Sequence, residues 1–363
     1  MRCFFTKNFL SRLQTVFFVL VISACGGILS SAGAYDEADL EACIVEKMLH
    51  AGDETTIGEL KAACRHHLEG LKRLAPEDVI DEDVEESAIK RRQEIEQETE
   101  ELPFVLTPHK PNYILLAAYN TQSPNQEPYT IAHPDEDYTL DQTEVKFQVS
   151  LKFPVLFDLF GDNGDLFFAY TNRSFWQLYN SDISAPFRET NHEPEFWLSF
   201  DTDWNFLGIK NRIVRLGAVH QSNGQSGNLS RSWNRIFAQF LFERNNFYFS
   251  LKPWWRLPED EEDDNNPDIE DYLGYFEFQA IYKVEKELLW QKWLKGSTFS
   301  LLWRNNLKFN DDNRGATQLD WSFPLYRHLR GYAQWFNGYG ESMIDYDSNV
   351  NSFGIGLQLT DWL

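Results

Sequence analysis

The sequence predicts an all-β fold, a twelve-stranded antiparallel transmembrane barrel preceded by a small α-helical N-terminal segment. Three observations predict it. After Leu102 the chain breaks into stretches of about ten residues that alternate apolar and polar side chains, the period of a strand. Aromatic residues crowd the ends of these stretches, as in Trp254-Trp255, Tyr326, Trp335-Phe336 and Trp362. An export signal stands at the N-terminus and no helical membrane span follows it, so a membrane protein of this sequence has to close into a barrel.

Residues 1–34 read as that signal. Arg2, Lys7 and Arg12 precede the apolar run Val16 to Ile22, and Ala32-Gly33-Ala34 offers a small-residue cleavage site. Ile22-Ser23-Ala24-Cys25 also resembles a lipoprotein box, so lipidation at Cys25 is the alternative. Cys43 and Cys64 then remain, and an even pair in an exported chain reads as a disulfide. Around them Leu40, Ile44, Met48, Ile57, Leu60 and Leu68 recur at helical spacing, with Thr56 and Glu59 as a capping box. Residues 35–101 are therefore expected to form an acidic helical periplasmic segment. Within it, the charged run from Pro76 to Glu101 carries few large apolar residues and reads as a solvated helix or linker.

Charge narrows the function. The net charge of the 363 residues is −23, and residues 35–101 carry 21 acidic side chains against 8 basic ones. No basic stripe is available to neutralise phosphates, which excludes nucleic acid as a partner.

Residues 102–363 are read as the barrel, with strands at 111–120, 144–153, 164–173, 193–203, 212–222, 231–243, 246–256, 272–283, 297–307, 316–325, 328–337 and 351–361. Phe247, Phe249 and Leu251 alternate with Tyr248, Ser250 and Lys252; Phe353, Ile355, Leu357 and Leu359 alternate with glycines, Gln358 and Thr360. A soluble sandwich buries such an apolar face, and a barrel turns it to lipid. Strand length, the even strand number and the signal favour the barrel. Short connections, as at Gly161 to Gly164, alternate with long ones near 180–192 and 257–271, as expected of periplasmic turns and external loops.

One hairpin carries chemistry. In VHQSNGQSGNLSRSWN, residues 219–234, His220 and Ser222 share a strand face, and a turn centred near Gly227 sets Asn234 opposite His220. A base, a hydroxyl nucleophile and an orienting amide come within reach, either as an active site or as a polar patch beside a turn. A serine needs a base to take its proton, and a third group to fix the imidazole tautomer; here a neutral amide can do the latter. Gly224 offers an unobstructed backbone N–H for an oxyanion, beside which a hard cation with oxygen ligands has a role.

The stretches SFWQLYNSDISAPFRETNHEPEF (174–196), HQSNGQSGNLSRSWNR (220–235), KPWW with a later NNPDI (252–269) and GYGESMIDY (338–346), with EVKFQVSLKFP before them, closely resemble the outer-membrane phospholipase A family. The resemblance runs from about Leu102 to the C-terminus. It implies a calcium-dependent enzyme, active as a homodimer, that hydrolyses acyl esters of phospholipids in the Gram-negative outer membrane, with phospholipase A1, A2 and lysophospholipase activities. It further implies Ser222 as nucleophile, His220 as base and Asn234 as orienter. Calcium ligands are implied at Gln225 and Ser230, at Ser184 of the partner chain, and at Asn265; Asn172 matches a lipid-facing polar position that pairs across the dimer axis. Two departures stand out. The family commonly has Arg where Gln225 stands, which matters little for a backbone carbonyl ligand. It has Asp where Asn265 stands, a lost carboxylate whose role Asp264 or Asp268 would inherit. The competing reading is a passive porin-like barrel without catalysis, whose conductance would not depend on Ser222.

Overall fold

A barrel of strands exists because hydrocarbon offers no partner to a backbone N–H or C=O, and closure leaves no edge. The computed structural model describes residues 106–363, apart from 133, 135–138, 184–186, 261, 263, 285–293, 327–328 and 361–363, together with Lys61, Ile89 and Arg92. The expected signal, the Cys43–Cys64 disulfide and the helical hairpin all lie outside the described residues.

A short strand β1 (Thr107–Pro108) precedes β2 (Asn112–Asn120), α1 (Glu127–Ala132), β3 (Thr143–Leu156), β4 (Asp165–Trp176), β5 (Phe187–Phe206), β6 (Ile209–Ser222) and β7 (Ser232–Arg244). There follow β8 (Phe247–Leu257), α2 (Ile269–Leu273), β9 (Phe276–Lys283), β10 (Thr298–Asn305), β11 (Gly315–Tyr326), β12 (Leu329–Gly338) and β13 (Val350–Thr360). Strands β2 to β13 each pair antiparallel with their neighbours, and β13 returns to β2 with Phe353 opposite Tyr119, closing a twelve-stranded barrel. Strand β1 adds to β3, with Thr107 opposite Lys152.

The alternation is of the lipid-out kind. On β3, Lys146, Gln148, Ser150 and Lys152 are buried, while Val149, Phe153 and Val155 are exposed. Phe196, Leu216, Ile236, Leu319, Phe353 and Ile355 continue the apolar outer surface. Buried charges inside are paired or hydrogen-bonded, as burial of an ion requires: Lys146 Nζ lies 2.9 Å from Glu341 Oε1, Glu195 meets His109 at 2.7 Å and Lys252 at 3.0 Å, and Asp320 accepts from the Tyr332 hydroxyl at 2.8 Å. Residues 339–349, joining β12 to β13, turn inward. Met343 and Ile344 are buried there, and Asp345 meets Arg188 at 2.7 Å, so the GYGESMIDY stretch closes one mouth of the barrel.

Several features differ from those read in the sequence. Strand β5 starts at Phe187 rather than 193, because Phe187 and Glu189 to His192 pair with β4. Residues 269–273, next to and overlapping a predicted strand, form the helix α2, whose Ile269 and Leu273 reach the core beside Trp254. In the run expected to be solvated, Ile89 is buried against Ile213, Tyr248 and Ile281, and Arg92 Nη2 donates to the Pro108 carbonyl at 2.5 Å. One apolar side chain in a charged run was enough to find the lumen.

Leu319 lies mid-strand on the outer face, so Leu319→Arg is expected to destabilise the refolded barrel by about 2–4 kcal/mol. The urea midpoint in lipid vesicles checks this; an unchanged midpoint would mean that this face meets water.

Candidate active site

The site begins with the β6–β7 hairpin. Its register pairs His220 with Asn234, Gln221 with Trp233 and Ser222 with Ser232. From inside, Gln221 Oε1 accepts from Trp233 Nε1 and Arg235 Nη2, both at 3.0 Å, and the Arg235 guanidinium lies 3.9 Å from the Trp233 ring centre. Trp233 is wholly buried and meets Trp254 edge to face. This packing pins the register, and a slip of one residue would turn the outer side chains inward.

On the outer face, His220 Nδ1 lies 2.9 Å from Asn234 Oδ1. The amide cannot turn freely, because Asn234 Nδ2 donates to Glu259 Oε1 at 3.2 Å. With Nδ2 so occupied, Oδ1 is left to accept from Nδ1–H, and the imidazole keeps its lone pair on Nε2. Ser222 stands two residues along the same face, half-buried, while His220 is exposed. Glu259 belongs to the long connection near 257–271 and is one acid in the run EDEEDD, so nothing in the sequence singled it out as a partner of Asn234.

The loop between the strands is built on Asn223, which is 3% exposed. Its Nδ2 donates to the Leu229 carbonyl at 2.7 Å and to Glu189 Oε1 at 3.2 Å; its Oδ1 accepts from Gln225 N at 3.2 Å and Arg231 N at 3.0 Å. Four hydrogen bonds from one buried amide fix the turn that presents Gly224, Gln225 and Ser230. Gly224 has φ +64°, where a side chain would be strained.

A second loop leans on the first. Ser232 N donates to Asn266 Oδ1 at 3.0 Å, and Asn265 Nδ2 lies 3.4 Å from Ser230 Oγ. Asn265 and Ser230, which the resemblance pairs as cation ligands, are thus neighbours, and Gln225 lies in the same loop as Ser230. Ser184 lies outside the described residues. The flanking carboxylates are committed elsewhere. Asp264 takes both oxygens to Arg256 Nη2 at 2.8 Å, and Asp268 accepts from the Tyr346 hydroxyl at 2.6 Å. Burial pushes the Tyr346 phenol up and the Asp268 carboxylate adds to the rise, so the hydroxyl stays a donor at working pH. Both acids thus already hold a partner in this structure. Among the described residues no group of three His, Cys, Asp or Glu side chains comes together as a metal site. The donor set at the two loops is one of neutral oxygens, which suits a hard cation in kind.

Around the barrel from the hairpin, register pairs place Val149, Asn172, His192, Ser222 and Ser232 in one outward row across β3 to β7. Asn172 Oδ1 accepts from Ser174 Oγ at 3.1 Å. His192 was missed in sequence because it fell before the predicted start of its strand.

The phospholipase A1 family model matches residues 89–359. The chain belongs to the phospholipase A1 family of enzymes. This family member is 39% identical to the phospholipase A1 of Klebsiella pneumoniae over 259 residues, 71% of this chain and 84% of that protein. The Escherichia coli K12 phospholipase A1 is 38% identical over 259 residues, 71% of this chain and 83% of that protein. The calcium-bound dimer of the Salmonella typhi outer membrane phospholipase matches at TM-score 0.64 and 35% identity, covering 73% of this chain and 95% of that one. An E. coli outer membrane phospholipase A structure matches at TM-score 0.63 and 36% identity, covering 72% and 100%. Another from E. coli, at TM-score 0.63 and 36% identity over 72% of this chain and 95% of that one, carries alanine in place of an active-site asparagine.

Glu259→Ala frees the Asn234 amide to turn its Nδ2 toward His220. It is expected to lower kcat for phospholipid hydrolysis by roughly tenfold while leaving the gel mobility of the folded barrel unchanged. An unaltered kcat would show that Asn234 is oriented without Glu259.

Proposed function

We propose that this phospholipase works in the outer membrane and cleaves acyl esters of phospholipids at Ser222, His220 and Asn234, on the lipid-facing side of its barrel. The observation that carries this is the contact of His220 Nδ1 with Asn234 Oδ1 at 2.9 Å on that outer face. The active-site asparagine of the E. coli relative supports the role of Asn234.

Ser222 Oγ bonds to the ester carbonyl carbon as its proton passes to His220 Nε2, and the carbonyl π pair moves onto the oxygen. Collapse restores the C=O and breaks the C–O bond to glycerol, whose oxygen takes the proton from Nε2. Lysophospholipid leaves and the acyl group stays on Ser222. A water then repeats the addition, giving its proton to Nε2; the Oγ–C bond breaks, Ser222 regains a proton, and a fatty acid is released. Gly224 N–H donates to the oxygen that becomes negative in both halves. Asn234 holds the ring and stabilises its charged form without a buried carboxylate at the ring itself.

Calcium fits this picture, as it is bound in the Salmonella relative. Gln225, Ser230 and Asn265 would hold it, with Ser184 from a second copy, and it would supply positive charge near the developing oxyanion. With a neutral amide at Asn265 where the family has a carboxylate, the expected affinity is low, because ligand charge tunes calcium binding. The Salmonella dimer likewise supports a homodimer here. Asn172 faces outward in the row containing Ser222, and a polar group facing hydrocarbon is relieved by pairing with its mate across a two-fold axis.

Fatty acid release from phospholipid micelles is expected to need millimolar rather than micromolar calcium, on the order of the weaker protein sites. It is expected to stop with excess chelator, and to vanish in Ser222→Ala while the heat-dependent gel shift persists. Release by Ser222→Ala equal to wild type would overturn the assignment. Asn172→Leu is expected to reduce both the crosslinked dimer and the activity; full activity in a monomer would remove dimerisation from the account.

A further inference from the structure

The row that contains Ser222 also contains a second histidine. His192 and Ser222 are register partners on β5 and β6, so their side chains leave the same face as neighbours. The His192 ring is held at one end, with Nδ1 2.6 Å from the Tyr170 hydroxyl. Its other end reaches the loop: a Cβ placed on Gly224 would lie 3.4 Å from His192 Nε2 and 3.5 Å from Cδ2. The imidazole is thus within van der Waals reach of Gly224, whose positive φ is what favours glycine there. A phenol is a better donor than acceptor toward an imidazole nitrogen, so Tyr170 donates to Nδ1 and the proton of the neutral ring sits on Nε2. Nε2–H then stands on the Gly224 side of Ser222, while His220 and Asn234 occupy the other direction along β6.

We propose that His192 is a further catalytic residue: its Nε2–H, fixed in that tautomer by Tyr170, donates to the ester carbonyl oxygen as it becomes an oxyanion, alongside Gly224 N–H. This rests on the reading of Ser222 as nucleophile. His192 gains and loses no proton in the reaction. The electron pair displaced onto the carbonyl oxygen by Ser222 Oγ is held by two N–H donors, and it returns to re-form C=O when the glycerol oxygen leaves. Because the donor is neutral and preorganised, its hydrogen bond strengthens only as charge develops, and so it acts on kcat rather than on substrate binding.

The test uses the full chain in detergent with calcium and mixed micelles of a phosphatidylcholine, with kcat, KM and the crosslinked dimer fraction measured for each variant. His192→Phe keeps a ring and removes the donor. It is expected to lower kcat about 100-fold, with KM and dimer fraction within about twofold of wild type. His192→Gln, whose amide N–H has similar reach, is expected to recover about tenfold of that loss. Tyr170→Phe, which removes only the hydroxyl and populates both tautomers, is expected to fall between wild type and His192→Phe. Wild-type kcat in His192→Phe overturns the proposal, as does a loss that appears in KM or in the dimer fraction, or a Gln variant no better than Phe. Should His192→Phe fail to show the gel mobility of a folded barrel, Tyr170→Phe decides alone, and an unchanged kcat there overturns the proposal. Ser222→Ala in the same assay separates the two readings. An active Ser222→Ala defeats the nucleophile assignment itself, whereas an inactive one beside a fully active His192→Phe defeats only the role of His192.

Discussion

Period-two alternation along strands that must satisfy their own backbone is the constraint on which everything else in this molecule depends. Hydrocarbon accepts no unpaired N–H or C=O, so the chain closes its sheet; closure then divides every strand into an outer and an inner set of side chains. The inner set can be charged only if paired, which Lys146 with Glu341 and Glu195 with His109 and Lys252 illustrate. The outer set has to be apolar, and from Val149 to Ile355 it largely is. Against that background a cluster of His, Ser, Asn and Tyr on the outside is costly, and the cost localises function.

The barrel answers that cost by making the outer polar groups satisfy one another. His220 meets Asn234, Asn234 meets Glu259, His192 meets Tyr170 and Asn172 meets Ser174. Beneath them the inner face is stiff, with Trp233, Arg235 and Gln221 locking the same register from behind. On the proposed reading, a nucleophile on the outside of a membrane barrel takes its substrate from the bilayer itself, without a cleft to carry it there. The rigidity that a soluble enzyme obtains from a surrounding pocket comes here from the sheet on one side and from a loop ordered by the buried Asn223 on the other.

The strands were largely legible because their signal is local: alternation and turn residues sit within about ten residues of one another. The His220–Asn234 pairing was legible for the same reason, since a hairpin fixes its own register. What escaped was everything set by distant packing. Phe187 to His192 read as part of the long connection near 180–192, yet pairing with β4 extends β5 through them. Glu259 read as one acid among many. Asn223 was given no role in the hairpin, although its burial makes it the hub of the loop. Asp264 and Asp268 read as spare ligands until Arg256 and Tyr346 were found on them. Ile89 read as one apolar residue in a charged run, and its partners Ile213, Tyr248 and Ile281 lie more than a hundred positions away.

The most direct measurement is the site of covalent attack. The folded barrel in detergent micelles with calcium, treated with a long-chain fluorophosphonate and digested, can be searched by mass spectrometry for the modified residue. One stoichiometric adduct on Ser222, lost in His220→Ala while the barrel still folds, is the expected result. An adduct on another residue, or labelling of Ser222 that does not depend on His220, would contradict the central claim that the outer face of this hairpin performs the chemistry.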